Sequence, residues 1–290
     1  MAHNDVGDIR AASPAEHWRH FEHAWTKLLS YRYLGKETPH LDRGVTREVM
    51  PLRHDMRNCT GGVMAAPLCI ASPEPWWLDD DCVPAPVAMS YDILDPARDV
   101  QRIEVLREVI GIGRTMGFSR ARIVDADDPA RVIAISTGTG VSLGDVPPGF
   151  EPIDNPVYEL EDAPDLPSLR EVFGIVPGAD GAMLIDRVTP ELSSPHGALH
   201  LGPINIALEA AAMDELERST GRRDIQVEHW TVLLVKPGYR GPFRATATVV
   251  GGGRGPRLGI EATMTDQGHN GRVIATVSAS FRLVDPSPVC

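Results

Sequence analysis

The two halves of this 290-residue chain repeat one another at a fixed distance. A repeat of this size confines the fold to architectures in which one unit packs against a second copy of itself. The string Arg-Val-Ile-Ala occurs at Arg131 to Ala134 and again at Arg272 to Ala275, an offset of 141 residues, each time in a run rich in β-branched and small residues. In the same register Leu94-Asp95-Pro96 falls on Val235-Lys236-Pro237 and Gly61 falls on Gly202, while Gly113-Arg114 is one residue out of step with Gly253-Arg254. Several matches in one register are hard to obtain by chance. The copies also differ: the register sets Glu209 of the second half on Leu68 of the first, and His200 on Cys59.

Local patterns divide each half in the same way. An N-terminal extension, residues 1–36, carries Trp18, Phe21, Trp25, Leu28 and Leu29 at helical spacing behind Ser13 as N-cap. The first module, 37–145, is expected to hold a strand over Val45 to Arg53 and an apolar helical run from Cys59 to Ala71. Strands follow near Val87 to Ile93, Val100 to Ile112, Ser119 to Ala126 and Arg131 to Ser142. Pro67 would break that helix unless it lies in the first turn. A linker rich in Pro, Asp and Glu, 146–178, ends in a short helix from Ser168 to Phe173. The second module, 179–286, repeats the order: a strand over Gly181 to Val188, a long helix from His200 to Arg218, then strands over Ile225 to Val235, Gly241 to Val250, Arg257 to Thr265 and Gly271 to Val284. One strand, one helix and four strands make an α+β unit, and short turns make its sheet mostly antiparallel.

Two stretches of the second module carry a family resemblance. His-Leu-Gly-Pro-Ile-Asn-Ile-Ala-Leu-Glu, from His200 to Glu209, resembles the pattern of His-Gly-Gly, six residues, then Asp or Glu, at the start of the central helix of hotdog-fold acyl-CoA thioesterases of the phenylacetate-pathway type. The run from Val227 through Gly251 to Val284 resembles that family's remaining strands and turns. Leu201 stands where the family usually has the first Gly, and Pro203 follows Gly202, which suits a helix beginning near Gly202. The resemblance implies two tandem hotdog modules, each an antiparallel sheet wrapped around a helix, forming a pseudo-dimer that hydrolyses an acyl thioester, in particular acyl-CoA. It further implies that one site keeps its chemistry while the first module serves as partner and tunnel wall.

The residues can be weighed by their own chemistry as well. Glu209, inside an apolar helix, gains a raised pKa if buried and then suits a general base on water near neutral pH or a nucleophile that attacks the thioester to give a mixed anhydride; on a solvated edge it would be an ordinary surface acid. Asn205, four residues before it, shares its face and is a candidate to orient the carboxylate or a water. His200 is either a helix-capping histidine or a group that contacts the thioester, and His196 is the weaker alternative because its spacing to Glu209 does not fit. Gly202 permits close backbone approach, where unpaired helix N–H groups could hold an oxyanion. In the first module Asn58, Thr60, Gly61 and Gly62 are candidates to line the substrate site, and Cys59 is expected to be a packing residue. Lys236, Arg240, Arg254 and Arg257 are candidates for the phosphates of CoA, which is part of the substrate and not a cofactor.

Composition excludes other classes. The formal net charge of −12 argues against nucleic acid or an anionic membrane surface as a main partner. No run of about eighteen apolar residues is present, and the N-terminus lacks signal-peptide regions, so a cytoplasmic protein without membrane insertion is expected. Cys59, Cys69, Cys82 and Cys290 lack metal-site spacing and are expected as free thiols, with no metal and no bound cofactor. The Gly251 to Gly255 run has no following helix to make a dinucleotide loop. The rivals to an acyl-CoA thioesterase are a non-catalytic acyl-CoA-binding or interaction protein of the same fold and, more remotely, a hotdog hydratase or dehydratase, whose Asp-x-Asn-Pro-x-His type motif is absent. Assembly beyond the internal pseudo-dimer, into homo-oligomers, stays open.

Overall fold

The computed structural model describes residues 28–36, 47–72, 82–145, 160–194, 197–251 and 255–285. Most of the expected N-terminal helix lies outside that set. Its last turns form α1, Leu29–Leu34. Five strands and one helix then make the first half: β1, Arg47–Pro51; α2, Ala65–Ala71; β2, Cys82–Ile93; β3, Arg102–Ile112; β4, Met116–Asp125; and β5, Val132–Asp145. After α3, Leu169–Val172, and the two-residue β6, Val176–Pro177, the second half repeats the order. Its elements are β7, Met183–Ile185; α4, Leu201–Thr220; β8, Ile225–Leu234; β9, Phe243–Val250; β10, Arg257–Asp266; and β11, Arg272–Leu283.

Among the described residues, eleven strands join one sheet in the order β1-β3-β4-β5-β2-β8-β11-β10-β9-β7-β6, and every pairing is antiparallel. Reading outward from the middle, β2, β5, β4, β3 and β1 mirror β8, β11, β10, β9 and β7. The repeat read from sequence sits at this centre. Ser90 of β2 pairs with Thr231 of β8, 141 positions later, and their hydroxyls lie 2.8 Å apart. The turns obey the same offset: the amides of Leu94 and Asp95 donate to the Ile133 carbonyl, and those of Val235 and Lys236 donate to the Ile274 carbonyl.

Strand alternation decides which face is covered. In β4, Gly117, Ser119, Ala121 and Ile123 point inward, while Met116, Phe118, Arg120 and Arg122 point to solvent. The inner face of the central strands carries Tyr91 and Trp230, both buried, and Trp230 packs edge-on against Phe281 at 6.5 Å. Helix α4 lies against β7, β9 and β10 and also against α2, so the two helices meet beneath the sheet. Among the described residues no helix is long and apolar enough to cross a membrane.

Two boundaries differ most from expectation. Helix α2 starts at Ala65, six residues later than Cys59, because Asn58 to Gly62 form a tight turn in which the Asn58 amide donates to the Gly62 carbonyl and the Gly61 amide to the Asn58 carbonyl. Strand β2 starts at Cys82 and not at Val87, crossing Pro84 and Pro86 by register shifts at Cys82/Pro84 and Pro86/Ala88. Proline lacks a ladder donor, and a bulge is one way a strand accommodates it.

Candidate active site

Helix α4 is built to be buried over its first three turns. His200 caps it, its Nδ1 accepting the Gly202 amide at 3.2 Å; Pro203 falls in the first turn, where its missing N–H costs nothing; Gly221 ends it in the left-handed region. From Leu201 to Glu209 every residue is buried. Glu209 is 2% exposed, and a carboxylate there needs donors. It finds them in the other module: Oε1 accepts the amide of Ala65 and Oε2 that of Ala66, both at 2.7 Å. These are the first two N–H groups of α2, whose N-cap, Met64, offers no capping side chain and whose third residue is Pro67, which has no N–H. Burial pushes Glu209 up to about 7, against the pull of the Ala66 and Ala65 amides.

The carboxylate lines a cavity of about 470 Å³. One wall is the α4 face of Ile206, Glu209, Ala210, Met213, Asp214 and Glu217, residues three and four apart. Facing it are Met64 and, before it in the chain, His54, Asp55, Arg57, Asn58 and Cys59, and a third side is formed by Pro164, Leu166 and the start of α3 at Ser168 to Arg170. Asp162 holds this third side to the second: it accepts the His54 amide at 2.7 Å and sits 2.9 Å from the His54 ring nitrogen.

The structure does not bring His200, Gly202 or Asn205 to Glu209, and none of them lines the cavity. Nine helical positions separate His200 from Glu209, roughly 13 Å along the axis. The His200 ring is buried, stacked edge-on to Tyr31 at 5.5 Å, 3.1 Å from the Ser30 hydroxyl, and held neutral, with burial and the Lys36 charge pushing it down to about 3. Gly202 does permit a close approach, but of α1 and not of a ligand: a Cβ there would stand 2.0 Å from Ser30 Oγ. Asn205 is a structural link, donating to the Leu201 carbonyl at 2.9 Å and accepting the Trp230 indole N–H at 3.0 Å. Asn205→Leu should therefore cost about 1–3 kcal/mol by leaving a buried indole donor without a partner. The shift of the urea midpoint measures this, and activity per folded molecule should stay within about twofold.

In the first module, Asn58 lines the cavity, whereas Thr60 and Gly62 turn toward Gln226 of β8 and Gly61 faces the Arg98 side chain. Arg257 and Lys236 lie away from the cavity, and Arg257 donates to Glu228 at 2.7 Å. Arg240 is also off the cavity, and Arg254 and His196 lie outside the described residues. Among the described residues the Arg and Lys side chains at the cavity are Arg57, Arg170 and Arg223. Arg57 is engaged with the Gly61 and Ala97 carbonyls at 3.0 and 2.6 Å; Arg223 lies 3.0 Å from Glu217 and Arg170 4.0 Å from Asp214. Cys59, expected as a free thiol, is disulfide-bonded, while Cys69 is free, buried, and pushed well up by burial and the nearby Glu209 charge.

The register that set Leu68 opposite Glu209 does not hold in the helices. The N-caps Met64 and His200 are 136 residues apart, as are the bridges Arg57 to Val63 and Ser193 to Leu199. Leu68 therefore corresponds to Ile204, and Cys59 does not correspond to His200. The counterpart of Glu209 is residue 73, outside the described set.

Comparison of the coordinates with solved structures settles the architecture. The chain is similar to the tesB protein of Mycobacterium avium subsp. paratuberculosis (12% identity, TM-score 0.58, covering 88% of this chain and 98% of that one). It is also similar to an acyl-CoA thioesterase II of Mycobacterium marinum (13%, 0.52, 89% and 99%) and to the 12:0-ACP thioesterase of Umbellularia californica (12%, 0.52, 81% and 93%). The fold of the chain is a tandem double hotdog. Neither a family model nor a curated protein sequence matches it. In this double hotdog the partners of Glu209 that sequence reasoning missed are the amides of Ala65 and Ala66. Their one trace in the sequence is a helix start with Met at the N-cap and Pro at the third position, which leaves two donors for an outside acceptor.

Proposed function

We propose that this double hotdog hydrolyses an acyl thioester, acyl-CoA in the first instance, with Glu209 as general base. The observation that carries the reading is a buried carboxylate on the wall of a cavity, poised near neutral pH and set against two helix N–H groups from the opposite module. Each carboxylate oxygen keeps lone pairs beyond the one that accepts an amide, so Glu209 can take a proton from water while still held. The thioester carbonyl enters beside the α2 N-terminus and competes for one of the two N–H groups, which then stabilise the oxygen as it becomes negative. Water oxygen bonds to the carbonyl carbon, the C–S bond breaks, and the proton taken by Glu209 passes to the leaving thiolate. The cationic rim suited to CoA phosphates is Arg170 and Arg223 on the cavity, in place of Lys236 and Arg257.

The test is release of free thiol from acyl-CoAs of graded chain length, followed with a thiol reagent. Turnover should depend on the charged form of Glu209. Because burial raises its pKa to about 7, kcat/KM should climb about tenfold per pH unit below that value and level off above it. Binding of acyl-CoA without turnover of any chain length would establish the non-catalytic alternative.

A further inference from the structure

Gln226 follows Ile225 at the start of β8, is 3% exposed, and plays no part in the mechanism above. Its carboxamide leaves its own module and enters the turn that leads into α2. Nε2 donates to the Val63 carbonyl at 3.3 Å, two residues before Ala65, with the Val227 carbonyl at 3.4 Å as a second acceptor. Oε1 lies 3.2 Å from the Thr60 hydroxyl. The fit is close enough to dictate a glycine. A Cβ on Gly62 would stand 1.8 Å from Oε1 and 2.7 Å from the carboxamide carbon. Asn58 completes the clamp, its Oδ1 accepting the Thr60 amide, the Thr60 hydroxyl and the Gly62 amide, and its Nδ2 donating to the Ile225 carbonyl.

We propose that Gln226 is a positioning residue: by gripping the Thr60 to Val63 turn of the first module, it sets the amides of Ala65 and Ala66 at hydrogen-bonding distance from Glu209. The proposal rests on the reading of Glu209 as the base. Gln226 and Glu209 belong to the second module, and the turn and α2 belong to the first, so the distance between carboxylate and amides is a distance between modules. Only groups that bridge the modules can fix it. A displacement of about 1 Å at such a site is enough to cost about 100-fold in rate. The Gln226 carboxamide makes no contact with the cavity, so its loss should leave substrate affinity alone.

The experiment is a set of four variants assayed with the acyl-CoA that wild type turns over fastest: Gln226→Met, Gln226→Ala, Gly62→Ala, and Gly62→Ala with Gln226→Ala. Gln226→Met keeps the length and packing of the side chain but neither hydrogen bond. Its kcat should fall about 10- to 100-fold with KM within about twofold. The acid limb of kcat/KM should move up by about half to one pH unit, since the amides that pull Glu209 down have withdrawn. Gly62→Ala displaces the carboxamide and should match Gln226→Ala, while the double variant should be no worse than either single change, a coupling expected only for groups that share one space. Should Gln226→Ala fail to fold, Gln226→Met and Gly62→Ala still decide the matter. Wild-type kcat and acid limb in Gln226→Met, or a loss confined to KM, would overturn the positioning role. No hydrolysis by the wild-type protein would instead overturn the thioesterase reading beneath it.

Discussion

Glu209→Gln should lower kcat/KM by about 100- to 10,000-fold, the range set by removing a positioned base from a proton transfer. That corresponds to about 3–5 kcal/mol of transition-state stabilisation. Thiol release from acyl-CoA at pH 8, where the wild-type carboxylate is charged, gives the number, and undiminished turnover would show that another group is the base. The variant also separates catalysis from capping. A carboxamide offers one oxygen and sets an NH2 against the second amide, so one of Ala65 and Ala66 loses its acceptor. Glu209→Asp keeps the charge but draws it back by one carbon, and should retain more activity than the Gln variant if charge outweighs reach. Stability carries a matching signature. The folded-state value of about 7 lies above the ordinary 4.5, so the folded protein holds the proton more tightly, and stability falls as pH rises between those values. In Glu209→Gln that slope should be reduced.

What could be read from the sequence depended on whether neighbouring residues in the chain govern the outcome. The strands of both modules, and the 141-residue offset that relates them, follow from short turns and alternating burial, both local, and Ser90 opposite Thr231 confirms the register at the centre of the sheet. The helices escape that register because α4 runs for twenty residues and α2 for seven, so an offset carried from strand to helix misplaces Leu68. Asn205 illustrates a second limit. It does lie one turn from Glu209, yet near the helix start that face meets Trp230 of β8, which takes the side chain for packing. The Ala65 and Ala66 amides illustrate a third, since a backbone N–H is common to every residue except proline and leaves no mark of its own. Glu209 stood out because a carboxylate within Ile-Ala-Leu-Glu-Ala-Ala-Ala breaks an apolar pattern, and such a break needs a partner. The partner came from 143 and 144 residues away.

The largest stability effect should come from a carboxylate with no part in the chemistry. Glu48 of edge strand β1 is 2% exposed and lies 3.1 Å from Arg107 of β3 and 3.5 Å from Lys36, which follows α1 and also stacks over Tyr31 at 4.4 Å. Burial alone would raise its pKa, but Lys36 and Arg107 bring it below the ordinary carboxylate value. A lowered value means that this contribution to stability is present above the ordinary carboxylate range and is lost as pH falls through the folded-state value, so the group favours acid unfolding. Glu48→Ala takes the shared carboxylate from two buried cations, and removal of one partner from a buried ion cluster costs about 3–5 kcal/mol. The urea midpoint should drop accordingly, with the larger drop at neutral pH. Replacing Lys36, Glu48 and Arg107 together by Met should recover most of the loss, because desolvation of the charges disappears along with their attraction. The two outcomes distinguish a cluster that sets stability from one that sets geometry. If the triple variant recovers stability yet releases α1 from His200 and Gly202, the ion cluster's role is to seat α1 against the start of α4, where Ser30 fills the space that Gly202 leaves.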